Sequence, residues 1–306
     1  MTTPLRIGTR GSALALWQAH QVAEWLRPLA APRPVEIVEI QTTGDQVLDL
    51  PLAQIGGQGV FTKEIQRALL NHDADVAVHS LKDLPTIPVT GLTLAAVPER
   101  GPTGDAFISQ KHRAFAELPA GATVATSSLR RRAQVLHRRP DLRLVDIRGN
   151  VETRLRKLVE QALDALILAQ AGLERLGLGA QITEILDAHW MLPAVGQGAL
   201  GLECRQDDSE TLTLVRQLNH APTRQAVTAE RALLMTLGGG CLVPIGAAVT
   251  VIGEQLTLRG AVLSPDGRQR IEAELVGAVH EAEAVGQRVA EELLRRGAGP
   301  VLRATP

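Results

Sequence analysis

A carboxylate beside a lysine, a set of arginines and a cysteine in a glycine run are the residues of this chain best suited to chemistry. Asp83 follows Lys82 in the stretch Asp75-Val76-Ala77-Val78-His79-Ser80-Leu81-Lys82-Asp83-Leu84-Pro85-Thr86. A fixed carboxylate can stabilise a developing positive charge or carry a proton, and a lysine is a point cation for anions. An isolated Lys–Asp pair more often solvates a loop, so its meaning depends on how many other segments end the same way. Arg10 stands in Thr9-Arg10-Gly11, and Arg130 and Arg131 follow Thr126-Ser127-Ser128-Leu129. Arg148 and Arg154 bracket Gly149-Asn150-Val151-Glu152-Thr153. Guanidinium forks grip carboxylate or phosphate in two-pronged fashion. Residues 126–157 hold nine Arg and one Lys against three acids, Asp141, Asp146 and Glu152, so cationic side chains concentrate there. A solvated helix face accounts for Arg138, Arg139 and Arg143, but not for arginines that follow a strand directly.

Cys241 follows Gly238-Gly239-Gly240. The glycines make its loop pliable and put no side chains around the sulfur. No second Cys or His lies at ligand spacing, so no structural metal site is expected. A nucleophilic or attachment thiol is credible, although no catalytic His is identifiable beside it. Cys204 sits in an apolar run and reads as a small buried hydrophobe. The run Ile55-Gly56-Gly57-Gln58-Gly59-Val60-Phe61 is neither a P-loop nor a dinucleotide fingerprint; a lid and a plain connection both fit it.

The elements that must position these groups follow from periodicity and punctuation. Residues 5–8 read as a strand and Ser12 as the N-cap of a helix to about residue 27, which puts Arg10 at a strand-to-helix turn. Residues 35–40 alternate as a strand with one wetter face. Residues 75–78 form a buried strand ahead of the polar break at His79, a helix spans about 63–71, and 92–97 is a further strand. Pro- and Gly-rich breaks at 98–104 and 192–198 read as domain crossings. Between them, strands at 105–109, 123–126, 142–147 and 165–168 alternate with helices from Ser127, Asn150 and about Ala171, which is βαβ patterning. Residues 199–203 make a strand that could return to the first region. Ligands bind at the carboxyl ends of such strands, where Arg10, Lys82–Asp83, Thr126–Arg131 and Arg148–Arg154 all fall. From about Asn219 a helix (222–237), strands at 249–252, 255–262 and 269–275, and a helix at about 280–296 make a small α+β domain. The expected architecture is therefore α/β: two lobes with mixed, mostly parallel sheets around a cleft, plus that third domain. Its boundaries are 1–99 with 197–218, 100–196, and 219–306.

Composition narrows the ligand. The chain has 306 residues, 45% hydrophobic and 21% charged, with a net charge of −1. That charge excludes nucleic-acid binding through bulk positive charge, and aromatics at 2% leave no base-stacking surface for RNA. No apolar run reaches the length of a membrane span, no signal-peptide core is seen, and two cysteines make no disulfide framework. A cytoplasmic chain, with no membrane or nucleic-acid partner and no large apolar interface, is expected to be a monomer. A cleft lined by so many cations suits a ligand with several anionic groups. Without a nucleotide or Mg²⁺ motif, a polycarboxylate is the better match. A non-catalytic two-lobe receptor for such a molecule remains open at this point.

Together, His79-Ser80-Leu81-Lys82-Asp83, Thr126-Ser127-Ser128-Leu129-Arg130-Arg131, Arg148-Gly149-Asn150, Ala194-Val195-Gly196-Gln197-Gly198 and Gly239-Gly240-Cys241 resemble the porphobilinogen deaminase (hydroxymethylbilane synthase) family, in one order from Leu5 to the chain end. The resemblance implies two periplasmic-binding-protein-like lobes and a third α+β domain. It implies a transferase that condenses four porphobilinogen molecules head to tail on a dipyrromethane cofactor, releasing ammonia, in tetrapyrrole synthesis. It makes Cys241 the thioether attachment point and Asp83 the catalytic carboxylate. Lys82, Asp83, Thr126, Ser128, Arg130, Arg131 and Arg148 would hold the cofactor, and Arg10, Ser12, Arg148, Arg154 and Arg175 the substrate. Two departures stand out: Gln58 where some relatives carry Lys, and Gly238 where an acid commonly precedes Gly-Gly-Cys.

Overall fold

The computed structural model describes residues 3–46, 59–238 and 243–303. In chain order the first region runs β1 (Leu5–Thr9), α1 (Ala13–Ala30), β2 (Val35–Glu39), α2 (Thr43–Gln46), α3 (Lys63–Leu70), β3 (Val76–Ser80), a 3₁₀ turn Leu81–Asp83 and β4 (Leu92–Ala96). The middle region runs β5 (Asp105–Ile108), β6 (Thr123–Ala125), α4 (Leu129–Arg138), β7 (Arg143–Val145), α5 (Val151–Glu160), β8 (Ala165–Ala169), α6 (Gln170–Arg175) and β9 (Glu184–Ile185). Then come β10 (Leu200–Arg205), α7 (Ser209–Arg216), α8 (Ala221–Thr236), β11 (Ile245–Ile252), β12 (Gln255–Leu263), β13 (Arg270–Ala278), α9 (Ala282–Arg295) and α10 (Ala298–Arg303). The chain folds into two compact units, residues 1–101 with 198–224, and 102–197 with 225–306.

The first unit holds a five-stranded sheet in the order β2-β1-β3-β10-β4. β1 pairs in parallel with β2 and β3, whereas β10 runs antiparallel to both β3 and β4. Four strands therefore point one way and the returning strand, expected from the run at 199–203 without a direction, opposes them. α1 covers one face. Ser12 caps it by accepting from the Ala15 N–H at 3.4 Å, and Gln18, Ala19, Val22, Ala23, Leu26 and Ala30 line its buried side at helical spacing. The helix extends past residue 27 because Ala30 still packs into the core with Leu5, Ile7, Val76, Val78 and Leu202. α3 covers the other face, where Ile65 and Leu69 pack on Ala74, Ala77 and Leu92. Asp75, at the amino end of β3, receives Arg6, Arg33 and Arg205 at 3.2, 3.4 and 3.1 Å, which ties three segments at the edge remote from Asp83. β3 itself continues through His79 and Ser80, two residues beyond the apolar run.

The second unit holds a five-stranded sheet, β7-β6-β8-β5-β9, and a three-stranded antiparallel sheet, β11-β12-β13. β7, β6 and β8 are parallel, β5 opposes β8, and β9 opposes β5, so again four strands of five share a direction. One face of the antiparallel sheet is covered by α9, with Leu256, Leu258, Val262, Val285, Val289 and Leu293 in the shared core. β11 begins at Ile245, four residues ahead of the sequence expectation. Gly and Ala are poor strand formers, yet Gly246 is required because a Cβ there would stand 2.7 Å from Leu192 Cβ.

Candidate functional site

In the first unit, β1 and β3 are parallel neighbours, so the residues after each reach the same sheet edge. Arg10 follows β1 and lies over the Phe61 ring, 4.1 Å from its centroid. Gly44 makes room for that ring, because a Cβ there would run into it. Ser12, assigned to substrate by resemblance, has its hydroxyl engaged as the cap of α1. After β3 the chain makes one 3₁₀ turn over Leu81–Asp83, closed by Leu84 N–H to Leu81 O at 3.2 Å; Pro85 follows and ends regular structure. Leu81 is buried and anchors the turn, while Lys82 and Asp83 are half-buried. The Asp83 carboxylate has no hydrogen bond or ion pair among the described residues. A half-buried acid with no partner among the described residues can meet a ligand.

In the second unit, β6, β7 and β8 are parallel, and their carboxyl ends bring Thr126, Ser128, Arg130, Arg131, Arg148, Arg154 and Arg175 to one edge. Thr126 is buried and accepts from Ser128 N–H at 3.3 Å; Ser128 in turn caps α4 by accepting from Arg131 N–H at 3.4 Å. Ser127 receives the Ile147 N–H at 3.2 Å and donates to the Ile147 carbonyl, which joins the β6 and β7 loops. Asn150 caps α5 through Thr153 N–H at 2.9 Å, and Arg154 Nε donates to Gly149 O at 2.7 Å. Gly149 has φ +116°, a left-handed backbone that disfavours a side chain.

Arg130 and Arg131 differ from the picture of free cations lining a surface. Both are buried, and both grip Asp105: Arg130 Nη1 to Oδ2 at 2.6 Å, Arg131 Nε and Nη2 to Oδ1 at 2.9 and 2.7 Å. Gln197 Nε2 adds a 3.0 Å bond to the same carboxylate, and Arg130 Nη1 also donates to Leu192 O at 2.5 Å. Burial would push the Asp105 carboxyl up, but the two arginines and Gln197 outweigh it and hold it below the usual carboxylate range. Arg130 Nε stays buried with no hydrogen-bond partner among the described residues. Burial also lowers Arg148, with Asp146 pushing back, and lowers Arg175. Asp105 and Gln197 hold this arginine pair in place, and sequence reasoning assigned neither of them to the site. Asp105 opens a strand and Gln197 lies in a glycine-rich break, and the only available signal was that an excess of buried arginine needs a carboxylate.

Cys241, Gly239, Gly240 and Gln58 lie outside the described residues. Gly238 is described, with φ +65° and no atom of the described residues within 4 Å of where a Cβ would stand. Cys204 is buried, and that burial pushes its thiol up, which makes it unreactive. No group of His, Cys, Asp and Glu suited to a metal occurs among the described residues, and no helix among them is long and apolar enough to cross a membrane.

Comparison with known proteins adds to this geometry. A family model described as porphobilinogen deaminase, dipyromethane cofactor binding domain, matches residues 5–213, and one described as porphobilinogen deaminase, C-terminal domain, matches residues 224–295. Relatives named porphobilinogen deaminase include that of Syntrophotalea carbinolica, 51% identical over 99% of this chain and 96% of that protein. That of Trichlorobacter lovleyi is 52% identical over 97% of this chain and 95% of the relative. Among solved structures, the methionine-binding protein MetQ is similar at a TM-score of 0.45 and 16% identity, covering 74% of this chain and 92% of that one.

Proposed function

This chain belongs to the porphobilinogen deaminase family, and we propose on that ground that it condenses four porphobilinogen molecules head to tail into hydroxymethylbilane, releasing ammonia. The observation that carries the reading is Asp83, a half-buried carboxylate with no protein partner among the described residues, at the end of a central strand beside Lys82. Loss of ammonia from an aminomethyl-pyrrole leaves positive charge on the ring. A fixed carboxylate stabilises that charge, holds the pyrrole N–H and carries a proton between deamination and coupling. Lys82 and Arg10 complement the substrate's carboxylates on the same edge, and Ser12 holds the turn that carries Arg10.

The second unit's edge suits the family's dipyrromethane, which is rich in carboxylates. Its donors are guanidiniums and hydroxyls, and Arg130 keeps a buried Nε with no partner among the described residues. Thr126, Ser128, Arg130, Arg131 and Arg148 would hold the group, with Arg154 and Arg175 binding substrate carboxylates. When bound, it supplies the pyrrole end to which substrate units are added. Cys241 is the proposed thioether attachment, as the more credible of two thiols when Cys204 is buried in a strand. The division into residues 1–99 with 197–218, 100–196 and 219–306 is retained, supported by an apolar core under the three-stranded sheet that draws on residues of the last region apart from Val195. We place the protein in the cytoplasm as a monomer without metal.

The mass of the untreated protein tests this. It is expected to exceed the chain mass by two pyrrole units, the excess disappearing in Cys241→Ala, and the purified protein is expected to form a tetrapyrrole from porphobilinogen. A bare-chain mass together with no tetrapyrrole would favour a polycarboxylate receptor instead.

A further inference from the structure

The strand end that delivers Lys82 and Asp83 is gripped on both faces by buried polar side chains that the chemistry above leaves unused. Successive side chains of β3 point to opposite faces. On the α1 face, Gln18 Nε2 donates to Ser80 Oγ at 2.9 Å, and Ser80 Oγ lies 3.2 Å from Gln18 Oε1. On the α3 face, His79 Nε2 lies 3.1 Å from Glu203 Oε2, and Gln66 Nε2 donates to both Glu203 oxygens at 3.1 Å. His79 and Glu203 are each 4% exposed. In the ladder His79 faces Gly201 and Ala77 faces Glu203, so the two side chains are diagonal neighbours on one face. A carboxylate accepts only, so His79 donates from Nε2. A buried carboxylate beside the apolar Ile65–Leu69–Ala77–Leu92 cluster is costly to keep, and a core of the same shape would form with an apolar residue there. β10 also grips the turn directly. Leu81 N–H donates to Ala199 O at 3.0 Å, and Leu81 packs where Gly201 lacks a Cβ, which would stand 2.9 Å from Leu81 Cδ1.

We propose that His79 and Glu203 are positioning residues: their hydrogen bond, braced by Gln66, fixes the end of β3 so that the Leu81–Asp83 turn presents Asp83 in one orientation. The proposal rests on the reading of Asp83 as the reacting carboxylate. A misplacement of about 1 Å costs roughly 10²-fold in rate, and the brace acts on the turn rather than on substrate, so kcat moves and KM does not.

Glu203→Ala, Glu203→Gln and Gln66→Leu, each in the cofactor-loaded enzyme, test it, with kcat expressed per folded molecule and amide exchange read along the chain. Glu203→Ala is expected to lower kcat about 10²-fold with KM within about threefold, and to speed exchange at residues 81–84 selectively. Glu203→Gln, which still accepts from His79, recovers most of the loss. Gln66→Leu lowers kcat about tenfold and serves where the alanine variant does not fold. Normal kcat in the alanine and leucine variants, or exchange accelerated throughout the unit without preference for 81–84, overturns the proposal. Asp83→Asn separates the two ideas. Normal turnover there removes the role of Asp83, while selective exchange at 81–84 in Glu203→Ala reports the brace independently.

Discussion

Two aspartates next to strand ends, Asp83 in the first unit and Asp105 in the second, have opposite surroundings. Asp105 is 1% exposed and is held by two guanidiniums and an amide. Asp83 is half-buried and has no partner among the described residues. The same side chain is saturated in one place and unspent in the other. Saturation makes Asp105 an organiser: it gathers Arg130 and Arg131 from α4 and leaves the pair with a net positive charge. With no partner among the described residues, Asp83 suits the role proposed for it, meeting a cation that exists only during reaction. On the proposed reading, chemistry falls to the strand end with the open acid, and the strand end with the closed acid holds anions through its arginines.

The sharpest way to break that contrast is Asp83→Asn, which keeps shape and removes charge. We expect turnover of the cofactor-loaded variant to fall about 10³- to 10⁴-fold, with an unchanged unfolding midpoint. Loss of stability with near-normal turnover would invert the roles. Asp105→Asn is the reciprocal test. It strands two buried guanidiniums and is expected to cost about 3–5 kcal/mol of stability, read as a lower urea midpoint. The acid limb gives a second reading. The folded-state pKa of Asp105 lies below its unfolded value, so the unfolded chain takes up the proton first as pH falls. The contribution of Asp105 is therefore present above about pH 4 and lost below it. The fall in midpoint on acidification should be shallower in Asp105→Asn than in the parent.

The place of Asp83 after a strand end was legible in the sequence because an apolar β-branched run that turns suddenly polar before a proline marks such an end. The edge carrying Arg148 and Arg154 was legible for the same reason, helped by Asn150 as a cap. Asp105 was not, because nothing local distinguishes an acid that begins a strand from one that solvates it. Its partners are 25, 26 and 92 residues away. The opposed strand β10 was visible as an apolar run after a glycine-rich break, whereas the two-residue β9 is too short to show a period. Phe61 was read only as the end of a glycine-rich connection, because a ring stacked under a guanidinium from another loop leaves no spacing signal.

Smaller substitutions refine the contrast by probing the aromatic ring under Arg10 in the first unit. Gly44→Ala pushes a methyl into the Phe61 ring and is expected to cost about 1–3 kcal/mol through overpacking, measured by urea unfolding. Its effect on KM should exceed its effect on kcat, because the ring it displaces supports Arg10 and not Asp83.

Phe61→Leu has the smallest expected effect and isolates the stacking itself. The ring lies 4.1 Å from the Arg10 guanidinium carbon, within the range where the negative face of an aromatic attracts a cation. Leucine fills most of the space but has no such face. The loss is about 0.5–1 kcal/mol at a partly exposed site, which corresponds to a KM increase of roughly two- to fivefold. If Arg10 binds a substrate carboxylate, Arg10→Lys should raise KM further, since an ammonium cannot form the two-pronged contact. The double variant should then be less than additive, because the ring has no guanidinium left to orient. Additive effects would mean that Phe61 and Arg10 act on substrate separately. The ring would then not be what orients the guanidinium, and the comparison between a ring-stacked arginine and the pair held by Asp105 would lose its simplest cause.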